Sequence, residues 1–183
     1  LEKAQNPKTL VVACCDSRVD PAILLHCKPG DLFVIRNVAA LVPAVTQASN
    51  PCSVMSAIEY GVKHLNVEHI VVMGHSHCGG MTPESIAGET YIQDWVSIAS
   101  PALERLQAMT GDEDEKTRSR HCEEGAVLIS LDNLLSYPWI AERVKNGQLK
   151  LHALYYDLSE GNLYRFSPDS EDFELLFHTI ENP

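Results

Sequence analysis

"TLVVACCDSR", residues 9–18, joins an apolar run directly to two cysteines, an aspartate and an arginine. A short, continuous apolar run is typical of a strand that is buried in a parallel sheet. A surface turn has no need of a pair of thiols, and a core has no need of Asp16 and Arg18. We therefore interpret the stretch as a reactive site at the carboxyl end of a strand.

Two further apolar runs, at 31–38 and 69–75, predict other strands of the same sheet. Helical patterns lie between the three runs. Proline opens a short helix within 20–27, and residues 53–65 place their apolar side chains on one helical face. Strands that alternate with helices predict an α/β fold with a mostly parallel central sheet flanked by helices.

The second half of the chain continues as helices followed by strands. The pattern predicts a helix over 90–109, interrupted near Pro101, and a solvated loop or helix edge over 111–120. It then predicts a helix over 121–147 that breaks at Pro138, and two strands within 148–168 joined by a turn.

The length and the hydrophobic content of 45% predict one domain over residues 1–183. Residue 1 lies close to the first predicted strand, so we expect an N-terminal region to be absent from this chain.

The composition excludes several classes of partner. A formal net charge of -11 disfavours binding to nucleic acid, and no segment approaches the ~18 apolar residues of a membrane span. The six cysteines lack the dense spacing of a disulfide scaffold. We expect a soluble protein of a reducing intracellular compartment, such as the bacterial cytoplasm or a chloroplast, with small molecules or further copies of itself as partners.

A second polar stretch, "GHSHCGG" at 74–80, also follows a predicted strand. The carboxyl ends of parallel strands meet at one crevice, so Cys14, His75 and Cys78 can supply three ligands of the types that zinc prefers. A catalytic zinc with an open fourth position, a closed structural zinc, and a metal-free redox or packing role all fit this spacing. The available fourth ligands are Cys15, His77 and Asp16.

"CCDSR" and "HSHC" resemble the Cys-x-Asp-Ser-Arg and His-x-x-Cys motifs of the β-class carbonic anhydrases, and of their plant-type branch with an open active site in particular. The segments 28–43, 56–80 and 130–164 are also similar to that family, and the weakest likeness lies around 81–120.

The resemblance implies zinc-dependent, reversible hydration of CO₂ to bicarbonate and a proton by attack of zinc-bound hydroxide, in a homodimer or larger homo-oligomer. Relatives with the same metal motif hydrolyse carbonyl sulfide or carbon disulfide, so such a hydrolase is one alternative. The other is a catalytically silent, zinc-stabilised assembly module.

The resemblance also implies residue roles. Zn²⁺ is bound by Cys14, His75 and Cys78, and Arg18 holds Asp16 so that its carboxylate orients the hydroxide. Cys15 is at a position that is often serine in the family. Because successive strand residues point to opposite faces, we expect Cys15 to face away from the metal and to pack, and we expect His77 to be a bystander. Cys122 we assign to helix packing. The implied substrate-binding residues, of which the glutamine, phenylalanine and tyrosine reach the zinc of a neighbouring subunit, are Gln5, Phe33, Val38, Tyr60 and Gly79.

Some members of the family lose activity at low pH, when the aspartate moves onto the zinc and bicarbonate occupies a non-catalytic pocket. That pocket is formed by a tryptophan, an arginine and a tyrosine. This chain has Val11 at the tryptophan position, although Arg36 matches the arginine. Valine has no N–H donor and less surface to enclose the anion. We therefore expect Asp16 to remain paired with Arg18, and not to move to the zinc, near neutral pH.

Overall fold

A computed structural model describes residues 2–48, 52–82, 88, 90–102, 104 and 114–178. Among these residues, six strands form one sheet. The strands are β1 Thr9–Cys14, β2 Leu32–Asn37, β3 His69–His75, β4 Lys150–Asp157, β5 Asn162–Ser167 and β6 Asp172–His178. Their order across the sheet is β2-β1-β3-β4-β5-β6. The first four strands pair in parallel, whereas β5 pairs antiparallel with both β4 and β6.

Helices precede or follow the parallel strands, and side-chain caps explain where two of them begin. The Asp20 carboxylate accepts a hydrogen bond from the Ala22 N–H at 3.0 Å, and the Asp114 carboxylate accepts one from the Thr117 N–H at 2.7 Å. Among the described residues, the helices with defined bounds are α1 Pro21–Leu24, α2 Ser53–Lys63, α3 Thr90–Val96, α4 Glu115–Leu135 and α5 Pro138–Lys145. There are 3₁₀ turns at Val38–Ala40, Gly79–Met81 and Ser97–Ala99, and residues 100–102 and 104 are also helical. In the part of the chain that the structure describes, no helix combines the length and the apolar character needed to span a bilayer.

The order of the strands creates a crevice at one edge of the sheet. β1 pairs with β2 on one side and with β3 on the other. The chain therefore reverses its direction across the sheet at β1, and such a switch point opens a ligand-binding crevice at the carboxyl ends of the strands. Cys14 ends β1 and His75 ends β3, so both lie at this crevice.

The central strands are buried on both faces. In β1, Leu10 and Val12 belong to one apolar cluster, whereas Val11 and Ala13 belong to a second. All four side chains are fully buried. This two-sided burial is why the strand has a continuous apolar sequence, without the polar alternation of a half-exposed strand.

The predicted α/β fold with a mostly parallel sheet is confirmed, and the predicted strands agree with β1 to β5 to within a few residues. Helix α4 begins at Glu115, where Asp114 caps it, so the charged segment forms the edge of a helix, which is one of its two expected forms. Strand β6 was not predicted. The predicted helix over 90–109 is present as α3, the 3₁₀ turn after it and further helical residues at 100–102 and 104, while 103 and 105–109 lie outside the described residues.

Helix α4 approaches β3 so closely that a Cβ atom on Gly74 would lie 2.5 Å from Val127 Cγ2. Val127 is buried and cannot move aside freely. We predict that Gly74→Ala lowers the free energy of unfolding by about 1–3 kcal/mol through overpacking. Thermal unfolding measures this effect, with Gly79→Ala as the control because a Cβ there meets no atom within 4 Å. An unchanged melting temperature for Gly74→Ala would contradict the close approach.

Candidate metal centre

Three buried side chains converge at the crevice between β1 and β3. One ligand atom each from Cys14, His75 and Cys78 lies within 4.8 Å of the other two. Cys14 and His75 end neighbouring strands, and Cys78 follows His75 after a tight turn. Two sulfurs and one imidazole nitrogen form a donor set that suits zinc.

The turn between the two ligands of the second stretch has a constrained backbone. His77 has a left-handed φ of 55°, which non-glycine residues rarely adopt. Gly80, just after the turn, leaves no room for a side chain, since an added Cβ would lie 2.6 Å from Val38 Cγ1. The turn is thus packed directly against the segment that follows β2.

The imidazole of His75 is oriented for a ligand. Its Nδ1 lies 2.8 Å from the Ser76 carbonyl oxygen, which can only accept, so Nδ1 carries the proton. Its Nε2 is buried and has no hydrogen-bond partner among the residues that the structure describes. A buried nitrogen without a partner is costly, and a bound cation would satisfy it. The three side chains therefore fit a metal ion.

The two sulfurs interact with each other at a distance of 4.0 Å. Hydrogen bonding to Cys78 lowers the pKa of Cys14 to about 4, against the opposing effect of burial. The same hydrogen bond, together with burial, raises the pKa of Cys78. The backbone N–H of Ala39 also donates to the Cys14 sulfur at 3.4 Å. The site therefore favours a thiolate at Cys14, and a thiolate is the form that binds metal.

Asp16 and Arg18 form a bidentate ion pair beside the cluster. Arg18 Nε lies 2.9 Å from Asp16 Oδ1, and Arg18 Nη2 lies 2.6 Å from Asp16 Oδ2. These hydrogen bonds hold the pKa of Asp16 well below its usual range, so the carboxylate is ionised at neutral pH. Asp16 Oδ2 lies 3.9 Å from His75 Nε2, which places the carboxylate at the edge of the ligand cluster.

Comparison with known proteins agrees with this geometry. The family model described as carbonic anhydrase matches residues 9–163. The chain is 39% identical over 174 residues to beta carbonic anhydrase 5, chloroplastic, of Arabidopsis thaliana, in an alignment that covers 92% of the chain and 57% of that relative. This chain belongs to the β-class carbonic anhydrases. It spans less than two thirds of the length of that relative.

Solved structures of β-carbonic anhydrases share the fold. The chain is 30% identical to the β-carbonic anhydrase CcaA with a TM-score of 0.89, and the match covers 95% of this chain and 86% of that one. It is 29% identical, with a TM-score of 0.73, to a structure from a study of two tetrameric β-carbonic anhydrases of Sordaria macrospora, and that match covers 96% of this chain and 83% of that one.

Arg36 donates most of its hydrogen bonds to backbone carbonyl groups. Its Nη2 donates to the Asp16 carbonyl at 2.6 Å and to the Val19 carbonyl at 3.1 Å, and its Nε donates to the Cys14 carbonyl at 2.9 Å. Val11 is fully buried in the apolar core. The arginine therefore supports the segment that carries Cys14 and Asp16, and most of its donors already have acceptors.

The five predicted substrate-binding residues fall into two groups. Val38 lies beside Gly80, and Gly79 follows Cys78, so both adjoin the ligand cluster. The remaining residues lie elsewhere: Gln5 is exposed before β1, Phe33 lies in β2, and Tyr60 lies on α2 with 46% of its surface exposed.

The rings of Phe33 and Tyr60 contact each other, with centroids 6.0 Å apart. Phe33 pairs with Leu10, four residues before Cys14 in β1. That separation corresponds to about 13 Å along a strand. The aromatic pair is therefore distant from the metal cluster of its own chain.

Three other predictions about thiols and imidazoles have clear outcomes. His77 is exposed, hydrogen-bonds to Ser159 at 3.2 Å and lies outside the cluster, as expected for a bystander. Cys122 is buried on α4, which confirms its packing role. The packing role of Cys15 was wrong for this chain: β1 ends at Cys14, strand alternation stops there, and Cys15 is exposed.

Two residues that support the site, Glu123 and Tyr155, were not predicted from the sequence. Glu123 on α4 is buried, and its carboxylate accepts hydrogen bonds from the Cys78 backbone N–H at 3.0 Å and from the Tyr155 hydroxyl at 2.7 Å. Burial raises the pKa of Glu123, and both hydrogen bonds oppose that effect. A signal existed in the sequence, because Glu123 precedes Ala126 and Val127 by three and four residues and so shares their apolar helical face.

We predict that Cys14→Ser loses bound zinc, because a buried hydroxyl replaces a thiolate ligand. Cys15→Ser retains about one zinc per chain, since the exposed Cys15 lies outside the cluster. Metal analysis of the two purified variants, each checked for folding by circular dichroism, measures the difference. Full zinc in Cys14→Ser with none in Cys15→Ser would show that the ligand lies one residue further along the chain.

Proposed function

We propose that this protein catalyses the reversible hydration of CO₂ to bicarbonate and a proton, with Zn²⁺ held by Cys14, His75 and Cys78. The observation that carries the proposal is the convergence of three ligand atoms within 4.8 Å, with the Asp16 carboxylate fixed 3.9 Å from His75 Nε2. A bare structural zinc site has no need of an oriented carboxylate at its edge.

Zn²⁺ with three protein ligands keeps a position for water and lowers the pKa of that water towards neutrality. Asp16 is placed to accept the hydrogen bond of the attacking oxygen and so to turn the lone pair of that oxygen towards the substrate. Arg18 holds both carboxylate oxygens of Asp16, and its Nη2 also donates to the His77 carbonyl at 3.2 Å. The guanidinium thereby fixes the carboxylate relative to the turn that carries the ligands.

The substrate pocket is proposed to need two subunits. CO₂ is small and apolar, so it requires an apolar wall and a donor for its oxygen. Val38 and Gly79 border the cluster within one chain, whereas Phe33 and Tyr60 lie at the β2 edge of the sheet. Gln5, Phe33 and Tyr60 are proposed to complete the pocket of a neighbouring subunit, in a homodimer or a larger homo-oligomer.

The decisive experiment is stopped-flow CO₂ hydration on purified protein of known zinc content. We expect the hydration rate to rise in proportion to bound zinc. Hydrolysis of carbonyl sulfide is measured on the same preparation, and carbonyl sulfide turnover without CO₂ hydration would replace the proposed reaction by that hydrolysis. A zinc-loaded protein that performs neither reaction would be an assembly module.

We predict that Asp16→Asn and Arg18→Ala retain zinc but lose about 10²–10⁴-fold in CO₂ hydration, because the ion pair orients the reacting oxygen and does not hold the metal. Asp20→Asn is the matched control. Asp20 caps α1, a role that asparagine also fulfils, and its other oxygen makes only a long contact of 3.4 Å with Arg36, whose backbone hydrogen bonds the variant leaves intact, so this variant should keep most of its activity. Wild-type rates in zinc-loaded Asp16→Asn would refute the role of the carboxylate.

We predict that activity falls on acidification with the slope of a single proton. Asp16 has a lowered pKa and stays paired with Arg18 as the pH falls towards its usual titration range, so it does not switch partners near neutrality. Arg36 and Val11 offer bicarbonate little extra binding in an inactive state, and a ligand shifts an equilibrium only through such a difference. The pH–rate profile and bicarbonate inhibition curves test this. A steep profile with sigmoidal inhibition would contradict it.

A further inference from the structure

Glu123 is a buried residue whose two carboxyl oxygens each accept a hydrogen bond, one of them from a residue of the metal cluster. The side chain lies on α4, and the residue is 4% exposed. One oxygen accepts the backbone N–H of Cys78 and the other accepts the hydroxyl of Tyr155. Within the described part of the chain, no lysine or arginine forms a salt bridge with it. Burying an unpaired carboxylate is costly, so its placement calls for a specific role.

The two hydrogen bonds connect three elements around one ligand. Glu123 belongs to α4, Cys78 belongs to the turn after β3, and Tyr155 belongs to β4. Tyr155 is also the strand partner of Gly74, the residue before His75. The carboxyl group therefore links the backbone of Cys78 to β4, the strand that pairs with β3 next to His75.

The turn needs such support, because it is strained. His77 has its left-handed φ of 55° between His75 and Cys78. A small change in this turn would move the Cys78 sulfur relative to the His75 ring. The Cys78 N–H donates to the buried Glu123 carboxyl group at 3.0 Å, so this contact restrains the backbone at the ligand itself.

We propose that Glu123 is a positioning residue of the metal centre, which fixes the Cys78 backbone while Tyr155 holds the carboxylate in place. The inference rests on the part of the proposed function that names Cys14, His75 and Cys78 as ligands of zinc. Its consequence is slow release of the metal and a fixed coordination geometry. Supporting residues of this kind typically contribute 10- to 100-fold to metal affinity or activity.

The test compares Glu123→Gln with Glu124→Gln in the zinc-loaded full chain. Glu124 is the matched control: it neighbours Glu123, is also buried, and pairs with Arg120 at 2.7 Å, not with the ligand turn. Zinc release to an excess of a chromogenic chelator is followed by absorbance. We expect release to be about 10- to 100-fold faster in Glu123→Gln and near the wild-type rate in Glu124→Gln. The visible bands of the Co²⁺-substituted protein should change in Glu123→Gln alone.

Tyr155→Phe is the second variant, since it removes one hydrogen bond and keeps the carboxylate. We expect several-fold faster zinc release from it, a smaller effect than that of Glu123→Gln. If Glu123→Gln does not fold, an unchanged release rate in Tyr155→Phe overturns the proposal. A wild-type release rate in Glu123→Gln overturns it, and so does an equal acceleration in Glu124→Gln, which would indicate a general loss of stability.

These outcomes are distinguishable from failure of the proposed function. Zinc-loaded wild-type protein that does not hydrate CO₂ would refute the function and leave the role of Glu123 in zinc retention intact. Active wild-type protein whose Glu123→Gln variant keeps its zinc normally would refute only the role of Glu123.

Discussion

β1 and β3 run side by side in the same direction, so their last residues, Cys14 and His75, emerge at the same edge of the sheet. Nothing local to either stretch could bring these residues together across 60 positions of the chain. The parallel pairing does so, and it depends in turn on α2, which returns the chain to the amino end of the sheet. The convergence of Cys14 with His75 and Cys78 depends on this register.

The charge around the centre explains why a cation fits it. Cys14 favours the thiolate, and Asp16 and Glu123 add carboxylates nearby. Arg18 compensates Asp16, while Arg36 directs most of its donors at backbone carbonyls. The cluster therefore offers a thiolate and, among the described residues, a buried ring nitrogen without a hydrogen-bond partner, and a divalent cation would interact favourably with both.

The sequence indicated the parts of the site that follow from general geometry. An apolar run that ends in Cys14 and another that ends in His75 were enough to predict that the two side chains meet, because parallel strands place their carboxyl ends together. Alternation correctly excluded Cys15 from the ligand cluster, but its predicted packing role failed, since the strand had already ended and Cys15 is exposed. The support from Glu123 depends on how α4 rotates against the turn, and β6 depends on an edge where only β5 is its neighbour. The sequence could place Glu123 on the apolar face of α4, but its contact with the Cys78 backbone and the pairing of β6 are tertiary effects that local patterns do not encode.

The distance between the aromatic residues and the metal cluster bears on how copies of this chain associate. Phe33 lies at the register of Leu10, far from Cys14 along the sheet, and Tyr60 contacts it from α2 while remaining half-exposed. β2 is an edge strand, so this surface is open to association. If the pair lines a substrate pocket, that pocket belongs to another copy of the chain. Under the proposed function, the apolar wall for CO₂ would then form only on association, and a neighbouring subunit would supply part of the active site.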